Sequence, residues 1–173
     1  MAARRFEFPD GSLYDLVVTG ASTNGARTEV EVTLGPTHHT VAPHVHPQQV
    51  ESYKVIDGEL QVLFGREWRS LKAGETLEIP PGTVHTFRNQ SGQNVQFRNA
   101  HEPSLDADRY LERLYWLSAM NRIREGHNFT SALYGSLLLD VHRNDQLLAG
   151  PGARLGVRAL AGVARLLRMR VDR

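Results

Sequence analysis

Cysteine is absent from the 173 residues. That excludes disulfides, thiolate metal sites and a cysteine nucleophile, and leaves nitrogen and oxygen as the ligand atoms for any metal. A run of about twenty apolar residues is missing too, so no membrane span is expected. The start, M-A-A-R-R-F-E-F-P-D-G, has charge but no apolar stretch of a leader. A secretory signal is therefore not expected, and a cytoplasmic protein is. An overall excess of charge is also lacking, with 20 Lys and Arg against 19 Asp and Glu. Together with the absence of a helix-turn-helix pattern, this argues against a nucleic-acid partner.

A hydrophobic content of 40% and a charged content of 23% are ordinary for a globular chain. The length suits one domain with a real core. The net charge of +1 hides an asymmetry. Residues 151–173 hold six arginines and one aspartate, net +5, which leaves residues 1–150 at −4.

Up to residue 103 the pattern is that of strands. T-E-V-E-V-T-L-G alternates, with Val30, Val32 and Leu34 on one face. Asp57-Gly58 separates two alternating runs as a hairpin turn does, and Gly65-Arg66-Glu67 marks a second turn. Pro80-Pro81-Gly82 ends T-L-E-I and delivers V-H-T-F-R-N as the next strand. The run from Val95 to His101 is one more, closed by Pro103. About eight to nine strands between residues 12 and 101 predict a double-sheet barrel or jelly roll.

Within these strands, His44 and His46 share a face by the period of two. Glu51 follows after a short turn, and His85 returns from a distant strand. Three imidazoles and one carboxylate suit a borderline first-row metal rather than calcium or magnesium. Tyr53 and Phe87, two positions from Glu51 and His85, are expected to point inward. They shape an apolar, aromatic pocket suited to a small neutral or aromatic molecule. Parity along the last strand puts Val95, Phe97, Asn99 and His101 on one face, which makes His101 a candidate acid/base residue. His38 and His39, in the polar connection before His44, are expected to be exposed loop histidines.

This pattern resembles the cupin superfamily. The first cupin motif is met by His44, His46, Glu51 and Gly58, and the second by Gly74, Pro80, Gly82, His85 and Asn89, with fifteen residues between them. One position departs from it: His38 stands where the family has a glycine. The resemblance covers roughly residues 35 to 101 and implies a small single-domain cupin: a mainly β, double-stranded β-helix (jelly-roll barrel). It also implies one divalent transition metal (iron, manganese, nickel, cobalt or zinc) held by His44, His46, Glu51 and His85 near the wider mouth. In relatives with this shell the glutamate sometimes detaches as a base, so the resemblance implies a catalytic role for Glu51 as well. Family barrels commonly pair through their sheets, so a homodimer is expected.

From residue 104 the pattern becomes helical, a C-terminal extension over 104–173. Ser104 reads as an N-cap with acids in the first turn, and apolar residues recur from Leu105 to Ile123, with Gly126 as the stop. A second helix is expected over about Phe129 to His142. G-P-G at 150–152 breaks the chain before a third, from Arg154 to Arg170, with Leu160, Val163 and Leu167 opposite an arginine stripe. The extension is expected to pack on the barrel or a dimer partner and to lid the barrel mouth, rather than lie on a membrane surface. For function, the resemblance points to a metal-dependent dioxygenase similar to small quercetinase-like enzymes. The alternatives are a non-redox metalloenzyme (polyketide cyclase, isomerase or decarboxylase) and a metal-anchored binding or sensor module.

Overall fold

Alternation along β3 (Thr28–Leu34) turns Val30, Val32 and Leu34 into the core, as its period requires. The computed structural model describes residues 4–36, 42–124 and 128–172. The other strands are β1 (Arg4–Glu7), β2 (Leu13–Val18), β4 (His44–Val45), β5 (Val50–Asp57), β6 (Glu59–Phe64) and β7 (Glu67–Lys72). They continue with β8 (Thr76–Ile79), β9 (His85–Arg88), β10 (Val95–Glu102) and β11 (Leu147–Leu148). They pair, all antiparallel, into two sheets, ordered β1-β2-β3-β10-β5-β8 and β11-β4-β9-β6-β7. The jelly-roll expectation holds, with two strands more than the sequence shows. β1 lies before the first recognisable run, and β11 comes from the helical extension.

The apolar faces of the two sheets meet in one core that includes Val32, Tyr53, Val55, Leu60, Val62 and Phe97, all almost fully buried. Each such side chain contributes roughly 1.5–3 kcal/mol. Asn89 pins the end of the second motif. Its buried amide donates to the carbonyls of Leu34 (3.0 Å) and Gln93 (2.7 Å), and its Oδ1 accepts from the amide of Ser91 (3.0 Å).

Three helices follow: α1 (Ala107–Ala119), α2 (Phe129–Val141) and α3 (Pro151–Leu166). Ser104 is not the cap of α1. Asp106 holds that position, because Ser104 is fully buried and its hydroxyl is engaged by that of Thr28 at 2.6 Å. The helix also stops earlier than expected. Asn121 takes a left-handed φ of 60° and the amide of Arg122 closes on the carbonyl of Leu117, so Ile123 lies beyond the helix. Gly126 and the His38–His39 pair lie outside the described residues. α3 begins at Pro151, a residue suited to the first helical position, and ends before Arg170. Its buried face is set by Ala161 and Ala164, while Val163 and Leu167 are exposed and Leu160 is half-buried. Leu133, Leu137 and Leu138 of α2 already supply the bulk of this second core, and small residues let the helices close on it. α1 joins the two cores, with Leu111 in the barrel and Leu117 among the helices. No helix among the described residues is long and apolar enough to cross a membrane.

Asp57-Gly58 is not the hairpin turn expected: β5 and β6 lie in different sheets, and the turn carries the chain from one to the other. Gly58 there has φ +80°, and a Cβ would meet the carbonyl oxygen of Asn94 at 2.7 Å. Both the left-handed backbone and the close approach require glycine. Gly58→Ala is expected to destabilise the fold by about 1–3 kcal/mol, read as a lowered midpoint in urea unfolding. An unchanged midpoint would mean that the turn opens away from residue 94 at no cost.

Candidate metal centre

Two cross-strand pairs, one from each sheet, build the site. In the five-stranded sheet His44 of β4 stands opposite His85 of β9. In the six-stranded sheet Glu51 of β5 stands opposite His101 of β10. His46, one residue past β4, adds a third imidazole, and the rings of His44, His46 and His85 lie with centroids 4.4–5.2 Å apart. The turn at Pro80–Gly82 helps to fix the two motifs together, since the amide of Gly82 donates to the carbonyl of His46 at 2.8 Å. His44, His46, Glu51 and His85 are all buried, with one ligand atom from each within 4.8 Å of the others.

Each of the three imidazoles donates from Nδ1 to a main-chain carbonyl: His44 to Ala42 (2.8 Å), His46 to Asp145 (2.5 Å) and His85 to Thr83 (2.8 Å). A carbonyl only accepts, so the Nδ1 proton is fixed and Nε2 is left with its lone pair. Glu51 divides its oxygens in the same way. Oε1 accepts from the Tyr53 hydroxyl at 2.8 Å and the Asn99 amide at 2.7 Å. Oε2 faces Nε2 of His46 at 3.5 Å and touches Nε2 of His85. Nε2 of His46, Nε2 of His85 and Oε2 of Glu51 are enclosed without an aligned hydrogen bond. Acceptor atoms held face to face and buried need a cation between them, either a proton on His85 or a metal shared by the set. Nitrogen and carboxylate oxygen at this convergence fit a first-row divalent ion.

The electrostatics follow from this crowding. Burial would push the Glu51 carboxyl up, but contact with His85 and the nearby His101 and His46 overrides it and holds the group well below the usual carboxylate range. Burial acts against protonation of His85 as well, and the Glu51 contact reverses it, so that imidazole is raised. Burial, reinforced by the neighbouring His85, takes His44 down to about 3. Burial takes His101 down to about 4. Tyr53 is held well above its ordinary value by burial and by the Glu51 charge.

His101 lies on the lumen side as its parity predicts, with Nε2 3.5 Å from Glu51 Oε1 and Nδ1 buried without a partner. Phe87 packs with Phe97 (5.5 Å between centroids) and Tyr53 (5.8 Å). A cavity of about 120 Å³ borders His44, His46, Glu51 and His101. Val32, Phe87 and Phe97 line it from the barrel, and Tyr110, Leu111 and Leu114 of α1 close it from outside. A wider groove of about 740 Å³ lies between α1 and the C-terminal segment, among Arg4, Arg113 and Arg170, and contains none of the four ligands. Asp106, His142 and Asp145 form a second group of ligand-type side chains. Asp145 Oδ1 there is taken by the Asp106 amide, and the Arg113 guanidinium sits 2.8 Å from His142, which opposes a second cation.

Residues 30–100 match the Cupin_2 family, described as a cupin domain. These residues are a cupin domain. Two Bacillus subtilis proteins are similar to it in sequence. One is quercetin 2,3-dioxygenase, 31% identical over 75 residues, which are 43% of this chain and 22% of that protein. The other is YdbB, 45% identical over 47 residues, which are 27% of this chain and 42% of that protein. The chain therefore spans less than half the length of either relative. An RmlC-like cupin from Shewanella frigidimarina matches in structure with a TM-score of 0.52 at 15% identity, over 61% of this chain and 88% of that one, which shows the fold. Sequence reasoning on the cupin domain did not single out Asn99 as a partner of Glu51, although its parity with His101 pointed there. It missed Asp145 entirely, because nothing local to that residue signals a contact with His46.

The titrations give a pH dependence for chelator-treated protein. His44 and His101 have folded values below the unfolded value of about 6.5, so the unfolded state binds the extra protons as pH falls below it. Stability should therefore fall from about pH 6.5 downward, by roughly 1.4 kcal/mol per pH unit for each imidazole. His85, raised, contributes stability already complete below that pH, and Glu51, lowered, adds its own loss only below about 4.5. Urea midpoints between pH 7 and 5 read this out, and a flat profile would mean that these imidazoles are hydrated.

Proposed function

We propose that this chain is a metal-dependent cupin acting on a small organic molecule as a dioxygenase-type oxidoreductase. The convergence of the lone pairs of His46, His85 and Glu51 in a buried cavity carries this reading. His44, His46 and His85 would hold the ion through Nε2 and Glu51 through Oε2. Bound there, iron, manganese, nickel or cobalt supplies a Lewis-acidic, redox-capable centre with positions left open beyond the four ligands. The similarity to quercetin 2,3-dioxygenase over 75 residues supports oxygen chemistry.

The residues around the centre have separable tasks. Tyr53 and Asn99 fix Glu51 as a ligand, and its detachment as a free base would strand the buried Tyr53 hydroxyl and the half-buried Asn99 amide. His101, neutral at physiological pH, is the group suited to accept a proton from a substrate hydroxyl at its unpartnered Nδ1. The aromatic and aliphatic walls exclude water and favour an uncharged ligand. An engineered cavity of about 150 Å³ takes benzene, so about 120 Å³ suits a single-ring phenol or small enol, and a multi-ring flavonoid exceeds it. The same donor set accepts zinc, for which isomerisation, decarboxylation or cyclisation is the reading.

Elemental analysis of protein purified without added metal or chelator is the first test. Close to one first-row ion per chain is expected, and His46→Ala or His85→Ala should lose most of it. Stoichiometric metal in both variants would overturn the site. Oxygen uptake with single-ring phenols and enols that depends on iron, manganese, nickel or cobalt supports the oxidoreductase. Bound zinc without oxygen uptake would move the assignment to non-redox chemistry, and a ligand recovered unchanged would make the chain a binding module.

A further inference from the structure

His44 and His85 are oriented locally, each by a carbonyl two residues before it. His46 is not. Its Nδ1 acceptor is the carbonyl of Asp145, 99 positions away and outside the matched cupin segment. That carbonyl belongs to a turn built from the helical extension. The amides of Asp145 and Gln146 both close on the carbonyl of His142, at 2.9 and 3.0 Å. The Asp145 carboxylate, also buried, accepts from the Asp106 amide through Oδ1 at 2.8 Å, and its Oδ2 lies 3.4 Å from Nδ1 of His142. His142 is 1% exposed, and its Nε2 accepts from Arg113 of α1 at 2.8 Å. The guanidinium has no acceptor, so Nε2 must be the bare nitrogen, and the protonated Nδ1 lies on the Asp145 side without an aligned hydrogen bond. Just beyond the turn, β11 pairs with β4, Leu148 opposite His44, and the Ala149 amide donates to the carbonyl of Pro43 at 2.9 Å.

We infer that Asp145 and His142 are positioning residues for the metal centre: held by Arg113 and Asp106, they set the carbonyl that fixes the ring angle and tautomer of His46. The inference rests on the metal-binding reading above. Its chemistry is general, since partners of a ligating imidazole's second nitrogen typically tune metal affinity by about 10–100-fold. What is particular to this chain is the source of the partner, which makes the extension part of the centre as well as its cover.

The experiment uses the full chain, loaded with Co²⁺ after chelator treatment. Co²⁺ affinity is measured by competition with a chromophoric chelator, and coordination by the ligand-field spectrum. His142→Ala and Asp145→Ala are each expected to weaken Co²⁺ by tenfold or more and to shift the spectrum. Leu138→Ala serves as control, because it removes a buried side chain from the same helical region but keeps the Leu138 carbonyl that accepts from the His142 amide at 3.1 Å. It should lower thermal stability and leave both metal readouts unchanged. Asp145→Asn, which keeps an acceptor for the Asp106 amide, carries the test should the alanine variants not fold. Wild-type affinity and spectrum in the folded network variants would overturn the inference, as would an equal loss in Leu138→Ala. Wild-type protein that binds no Co²⁺ would instead overturn the metal reading itself, and this inference with it.

Discussion

A carboxylate that is 3% exposed constrains everything around it. A charge so deep in the barrel costs several kcal/mol unless it is both paired and hydrogen-bonded. Glu51 meets this cost by dividing the work between its oxygens. Tyr53 and Asn99 satisfy one, and the imidazoles crowd the other. Because both donors come from the six-stranded sheet and two of the imidazoles from the five-stranded one, the two sheets can close at this end only in one register. The barrel's geometry and the site's electrostatics are one constraint.

That constraint explains how far the sequence could be read. The period of two put His44 with His46, Tyr53 with Glu51, and Phe87 with His85, and all of these face the lumen. Turn residues marked the chain reversals at Gly58 and Gly65, because glycine acts locally. Only Gly65 joins paired strands, whereas Gly58 passes the chain between the sheets. Local signals stop there. Two residues have no periodicity, so β11 is invisible until the fold brings it to β4. Ser104 looks like a cap because it precedes acids, yet burial against Thr28 claims its hydroxyl. In α3, the leucine pattern suggests a buried stripe, but the partner helix selects Ala161 and Ala164 instead. In each case a long-range contact overrode a sound local preference.

The extension shows the same principle at the site. A barrel mouth lined by Val32, Phe87 and Phe97 would be an open, wet funnel without a cover. α1 supplies that cover through Tyr110, Leu111 and Leu114, and it shares the aromatic contacts of Phe6 and Phe8 through Tyr115. Excluding water lowers the local dielectric and strengthens every charge interaction within the cavity. It is this enclosure that depresses His44 and His101 and leaves them neutral at physiological pH.

The cover also bears on selectivity. The motif residues, His44, His46, Glu51 and His85, define a centre that cupins of many activities can share, so they say little about what is bound. The outer wall of Leu111 and Leu114 and the polar edge of Tyr110 and Gln146, joined at 3.2 Å, come from residues after position 100, while Val32, Phe87 and Phe97 form the inner wall. The barrel thus carries the four ligands and the inner wall, and the extension closes the outer side of the cavity. Substitutions at Tyr110, Leu111 or Leu114 should therefore alter which molecules enter while the affinity for metal stays the same. Substitutions at Asp145 act on the centre through His46, although both groups sit on the same segment of chain. Cover and anchor are built from one extension, and the hydrogen bond to His46 separates their roles.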